Sequence, residues 1–222
     1  MTMKLIGAVI FAGVMLAVGG AQAAVIYNGG APDQGGQIYS QSPADTAMSF
    51  SLSGNDTVTG LNWWGGCFPA TTCGSSTFEI TIYSDSSGLP GSILDTAAVG
   101  GSQTATGLLI GGSSGWDEYA YSGTISPFAL TGGTQYWLQI QELNAEPNGT
   151  WGWETTSTAP AGVQLESTTS PNSVNGGFGS LPQDLAFELI GGPTSTVPEP
   201  LTLSLFGAGL VGAAVLRRKK KA

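Results

Sequence analysis

Hydrophobic and polar residues alternate in short runs along the middle of the chain. Met48, Phe50 and Leu52 alternate with Ser, Val58 leads towards Leu61 and Trp63, and Phe78, Ile80 and Ile82 alternate with Glu79, Thr81 and Tyr83. A period of two is the mark of a strand with one buried face. Ser92 to Val99, Glu118 to Ile125, Thr134 to Glu142, Trp151 to Thr155 and Asp184 to Ile190 are further strand candidates, separated by Gly, Pro, Asn and Ser turns. Long helical patterns are absent, and Ser167 to Ser180 reads as a polar loop before the last strand. So many short strands within residues 24–192 predict an all-β body, an antiparallel two-sheet β-sandwich of jelly-roll-like kind.

Two apolar runs interrupt this pattern near the ends. Lys4 precedes the run Leu5 to Val18, and Ala21-Gln22-Ala23 supplies the small-x-small pattern of a secretory cleavage site. Residues 1–23 therefore read as a signal peptide cut after Ala23. The second run, Leu201 to Leu216, has 16 residues. As a helix it covers roughly 24 Å, short of a hydrocarbon core about 30 Å thick. Arg217, Arg218, Lys219, Lys220 and Lys221 follow it, and their stems can snorkel to make up the difference. Residues 193–222 thus form an anchor segment with a transmembrane helix at about 201–216. Cations flanking both runs favour the cytoplasmic side, which places the body outside, exported across the membrane.

Charge changes the picture more than composition does. Residues 24–196 contain no Lys, Arg or His, while 14 of the 15 acids of the chain lie there. Such a body repels nucleic acid, whose binding needs cations on phosphates. It also lacks the base of a Ser-His-Asp or Cys-His arrangement, a Schiff-base lysine and the cationic clamp of phosphoryl transfer. A carboxylate pair of the glycosidase kind is the chemistry left open.

Four local features carry candidate chemistry. Cys67 and Cys73 are the two cysteines, and export makes a disulfide between them the expected state; closing so small a loop contributes about 2 kcal/mol in the chain-entropy model. Trp63 and Trp64 are neighbours, so in a strand they face opposite ways, whereas Trp151 and Trp153 share a face. Trp64 and Trp153 are the candidates for stacking on a glycan, with core packing as the alternative. Asp85-Ser86-Ser87-Gly88-Leu89-Pro90-Gly91 has turn chemistry throughout. Calcium is the cofactor such an oxygen-rich turn would hold, with Asp85 and Asp95 as ligands, although EF-hand spacing is missing.

Val197-Pro198-Glu199-Pro200, the apolar run and the basic cluster Arg217 to Lys221, in that order, resemble the PEP-CTERM sorting signal of exopolysaccharide-producing Gram-negative bacteria. The resemblance implies recognition by exosortase, an integral membrane cysteine protease, and processing at Pro198, Glu199 and Pro200. It implies a transient inner-membrane anchor, then residence at the cell surface or in the extracellular matrix. Val58-Thr59-Gly60-Leu61-Asn62-Trp63-Trp64-Gly65, Phe78 to Asp85 with Gly88-Leu89-Pro90-Gly91, and Tyr136-Trp137-Leu138-Gln139-Ile140 look like extracellular β-sandwich domains that often carry this tail. Three classes of function are then open: a non-catalytic envelope, biofilm or matrix component, a carbohydrate-binding module for extracellular polysaccharide, and a carboxylate-dependent glycosidase.

Overall fold

The computed structural model describes residues 23–41, 44–69, 73–74, 77–144, 149–157, 164–168, 179–181 and 184–194. They fall in one compact unit, Gln22–Thr194. The signal-peptide residues up to Gln22, Ala21 among them, lie outside the described residues, as do Val197 to Pro200, the run 201–216 and Arg217 to Lys221. Among the described residues no helix is long and apolar enough to cross a membrane.

The elements are almost all strands. In chain order they are β1 (Ala24–Asn28), β2 (Gln37–Tyr39), β3 (Ala44–Ser51), β4 (Asp56–Phe68), β5 (Thr77–Asp85), β6 (Pro90–Gly100) and β7 (Ser102–Ile110). A 3-10 turn at Gly112–Ser114 precedes β8 (Trp116–Leu130), β9 (Gln135–Glu142), β10 (Thr150–Thr156), β11 (Gln164–Thr168), β12 (Gly179–Leu181), β13 (Asp184–Leu185) and β14 (Phe187–Pro193). An eight-stranded sheet runs β1-β14-β4-β10-β13, with β8 on the other edge of β4, β7 outside β8, and β2 on β10. A six-stranded sheet runs β12-β11-β3-β9-β5-β6. All the pairings between strands are antiparallel.

One apolar core takes side chains from both sheets, Met48, Phe50, Phe78, Ile80, Ile82, Leu138 and Ile140 from the second and Val58, Leu61, Trp63, Tyr121, Trp151, Trp153 and Phe187 from the first. The body is sandwich-like in this sense. Phe78 is the hub. Its ring centroid lies 5.0 Å from Trp63, 5.1 Å from Tyr121 and 4.9 Å from Trp151, each edge to face. That geometry sets the positive edge of one ring on the negative face of another, adding about 0.5–1.5 kcal/mol per pair beyond the area buried.

The sequence reading located β3, β5, β6, β8, β9 and β10 by their alternation, and β13 and β14 as one strand that the structure breaks at Ala186. It missed β1, β2, β7, β11 and β12. These are short or peripheral strands, with little alternation to read. It also ended β4 too early. The stretch from Gly65 onward reads as a loop because it begins with two glycines, yet Gly65 pairs with Trp153, Gly66 with Gly152, Cys67 with Trp151 and Phe68 with Thr150. The glycines are there for close approach: a Cβ on Gly65 would overlap the carbonyl oxygen of Gly152 and reach 2.8 Å from the Trp151 ring. Cys67 is bonded to Cys73 across a Cα separation of 5.3 Å, as export predicts.

Gly65→Ala should therefore destabilise the body by about 1–3 kcal/mol, the usual cost of forcing volume into a packed site. Gly100→Ala, where a Cβ meets nothing within 4 Å, should be close to neutral. Urea midpoints of the two variants test this; equal midpoints would mean that the β4–β10 contact is not as tight as described.

Candidate functional site

The outer face of the eight-stranded sheet is where polar chemistry concentrates. Directly opposed residues of paired strands share a face. Trp64 is opposite Ala120, and Ala120 opposite Thr104. One step along, Glu188, Asn62, Ser122 and Ser102 form a row across β14, β4, β8 and β7, and Ile190, Gly60 and Thr124 form the next. Trp63 and Leu61, between these positions on β4, are core residues. Trp64 is half-buried, and Ser102, Ser122 and Thr124 are exposed. Glu188 is held from two sides: Asn62 Nδ2 donates to its Oε2 at 2.9 Å and Asn28 Nδ2 to its Oε1 at 3.4 Å.

Further along the same face lies a buried acid pair. Glu118 on β8 and Glu154 on β10 are 1% and 0% exposed. Both are capped by one residue. Gln34 donates its backbone N–H to Glu154 Oε1 at 3.0 Å and its side-chain Nε2–H to Glu118 Oε2 at 2.8 Å. The segment carrying Gln34 is tied down by Gly111 N–H, which donates to the Gln34 carbonyl at 2.9 Å, and by Asp33, whose Oδ1 accepts from Thr155 Oγ1 at 2.9 Å.

Electrostatics then dictate the proton count. Burial first, and the charge of Glu118 second, push the Glu154 carboxyl up to about 9, against the bond from Gln34, which favours ionisation. At neutral pH Glu154 is the protonated acid and hydrogen-bonds Glu118, so the pair shares a single proton. Its Oε2 meets no N–H or O–H donor of another group, and Gln37, opposite Glu154 on β2, has both amide atoms buried without a partner. Among the described residues no three acids or cysteines are grouped to hold a metal ion.

The residues singled out from sequence are dispersed. Trp153 is 0% exposed; its indole N–H donates to the Ala186 carbonyl at 2.9 Å and its ring lies 5.8 Å from that of Phe187. It is a core residue, and the expectation that it stacks on a glycan is overturned: with Trp151, it shares the face that turns inward. Trp64 remains on the outer face. Asp85 accepts from Trp137 Nε1 and Gln135 Nε2, each at 2.9 Å, and from Gly88 N–H at 3.2 Å. The Trp137 bond foremost, then that of Gly88, holds its carboxyl below the ordinary range. Asp85 opposes Pro90, whereas Asp95 opposes the core residue Ile82, about 10 Å along the hairpin, so the two do not converge on one calcium ion. The Gly88 N–H of the turn, the Gln135 amide and the Trp137 indole occupy the carboxylate instead. Sequence reasoning missed Gln34, Glu118 and Glu154, because nothing local marks an acid as buried; a signal lay in Glu118 and Glu154 each falling inside a predicted strand.

Comparison with known proteins bears on the far end of the chain. The family model of the PEP-CTERM protein-sorting motif matches residues 196–219. The chain carries a PEP-CTERM sorting signal. That signal implies export, a transient membrane anchor and processing by exosortase. No curated protein matches the chain. The PEP-CTERM segment begins just past Thr194, whose N–H and Oγ1 both donate to the Asn55 carbonyl, at 3.2 and 3.0 Å. The body is thus fastened immediately before the signal starts.

The acid pair makes stability fall as pH rises. Folded Glu154 keeps its proton to about pH 9, whereas the ordinary value is 4.5, so between these values unfolding releases a proton that the folded state retains. Stability from this group is complete below the lower value and is lost by up to about 1.4 kcal/mol per pH unit towards the upper one. Glu154→Gln keeps a neutral side chain of the same shape. Urea unfolding at pH 6, 7.5 and 9 should show a flatter profile in that variant, and a greater stability than the parent at pH 9; parallel profiles would contradict the shared proton.

Proposed function

We propose that this chain is an exported, exosortase-sorted, non-catalytic component of the cell envelope or extracellular matrix, a biofilm or exopolysaccharide-associated protein with a sandwich body between a removable leader and a removable anchor. The PEP-CTERM motif at residues 196–219 carries this reading. The body supports it at both ends. Its first strand begins at Ala24, the residue that follows the expected signal cleavage after Ala23, and Ala24 is paired with Gly191 near the end of the last strand. The first and last described strands of the body therefore end side by side.

Absence of catalysis is part of the proposal. A glycosidase holds two carboxyl groups about 5–9.5 Å apart across a sugar. Glu118 and Glu154 share a proton beneath Gln34 and are closed to solvent, which leaves no room for a sugar between them. Their arrangement suits fastening residues 29–36 to the sheet.

In cells that express exosortase, the mature protein should lose the residues after Pro200. Replacing Pro198, Glu199 and Pro200 together with Ala should leave the uncut chain in the inner membrane, because its apolar anchor remains. Intact-mass analysis of the extracellular and membrane fractions decides between these forms. A mature extracellular protein that still carries Leu201 to Ala222 would overturn the sorting reading.

A further inference from the structure

The outer face of the eight-stranded sheet holds an open groove of about 480 Å³, lined among others by Thr59, Gly60, Asn62, Ser102, Ser122 and Thr124. We propose that this groove, continued by Trp64, is a binding site for a neutral polysaccharide. The juxtaposition that carries it is the ladder across β14, β4, β8 and β7: an indole at one end, then an amide, hydroxyls and a carboxylate in one row, with a glycine in the middle of the next.

Each part matches a feature of a sugar chain. A pyranose has one apolar C–H face and a rim of hydroxyls. Trp64 is half-buried on this face, and Ala120, with no more than a methyl group, stands opposite it on β8. An aromatic ring of this kind takes an apolar sugar face while the polar rim stays wet. About 7 Å further along β4, Asn62 lies between the Glu188 carboxylate and the exposed Ser122 hydroxyl, so acceptors and donors meet the rim within one row. Gly60 sits where β4 approaches β8 closely, since a Cβ there would stand 2.8 Å from the Gly123 carbonyl oxygen, and this position of the lining carries no side chain. The groove is open rather than enclosed, which a polymer requires because its chain must enter and leave.

Charge selects among polymers. The body holds 14 acids and no cation between residues 24 and 196, so a polyuronate or sulfated chain is repelled wherever it lies. A neutral chain is not, and its hydroxyls can donate to Glu188, an acceptor already oriented by two amides. A ligand without charge, held by stacking and hydrogen bonds, also binds with little dependence on salt, unlike electrostatic attachment. This deepens the matrix reading above and rests on it for the source of the polymer, while the two fail separately: sorting is read by mass, binding by affinity.

Affinity electrophoresis of the purified full chain in a detergent without sugar headgroups tests the site. The gels contain hydroxyethylcellulose, galactomannan, dextran or, as the polyanion, alginate. At least one neutral polymer should retard the protein equally at 50 and 500 mM salt, and alginate should not. Trp64→Ala and Ser122→Tyr, which remove the stacking ring and fill the groove, should each weaken retardation about tenfold, the equivalent of about 1.4 kcal/mol. Phe68→Ala, an exposed ring outside the groove, should leave it unchanged. No retardation by any neutral polymer, retardation by alginate alone, or retardation that survives both groove substitutions would overturn the proposal. Ser122→Tyr, made at an exposed position, keeps the test decisive if Trp64→Ala does not fold.

Discussion

No cation lies between residues 24 and 196, and every carboxylate of the body has to be accommodated without one. Four of the described acids are met by neutral hydrogen-bond donors. Glu188 is held by two asparagine amides, Asp85 by an indole, a glutamine and a backbone N–H, Asp33 by a threonine hydroxyl and the Gly35 N–H, and Glu118 by Gln34. Hydrogen bonds to a charged group are stronger than those between neutral groups, and they hold an exposed or half-buried carboxylate in place. For a second acid beside a buried first one that is not enough, and the proton on Glu154 does the rest. Because Gln34 meets both members of the pair, the segment before β2 is fixed to the sheet by the same solution.

The same economy of charge explains the weight carried by aromatic rings and glycines. With no ion pairs among its strands, the body joins its two sheets through Phe78 and the rings around it, and sets β4 against β10 through the facing Gly66 and Gly152. Gly152 leaves room for the Gln37 side chain and Gly66 for the Trp116 ring, so the outer face is layered by side chains lying flat where glycines face outward. Nearer the middle of the sheet, at Gly60, β4 carries no side chain and the groove remains.

How much of this was legible depended on the range of the interaction. Alternation is local, and it located the core strands β3, β5, β8, β9 and β10 together with the inward side of Trp63. The disulfide followed from export and count. The sorting signal, a linear motif, was fully legible. What pairing across the sheet decides was not. The glycine pair at Gly65-Gly66 looks like a loop until β10 lies beside it, Trp153 shares a face with Trp151 but only the packing shows that the face is inward, and Asp85 and Asp95 bracket a turn yet oppose different partners. The Glu118–Glu154 pair joins residues 36 apart in sequence, with the cap another 84 residues before Glu118, so no window along the chain contains it.

The central claim is that an acidic body without cations keeps one buried glutamic acid protonated at neutral pH. Carbon-13 NMR of the glutamate side-chain carboxyls, followed from pH 3 to 10, reads that directly. One resonance, assigned to Glu154 by its loss in Glu154→Gln, should hold the chemical shift of the protonated acid through pH 7 and move only as pH approaches about 9. If every glutamate carboxyl has ionised by pH 6, the pair does not share a proton and the account of how this body accommodates its charge is wrong.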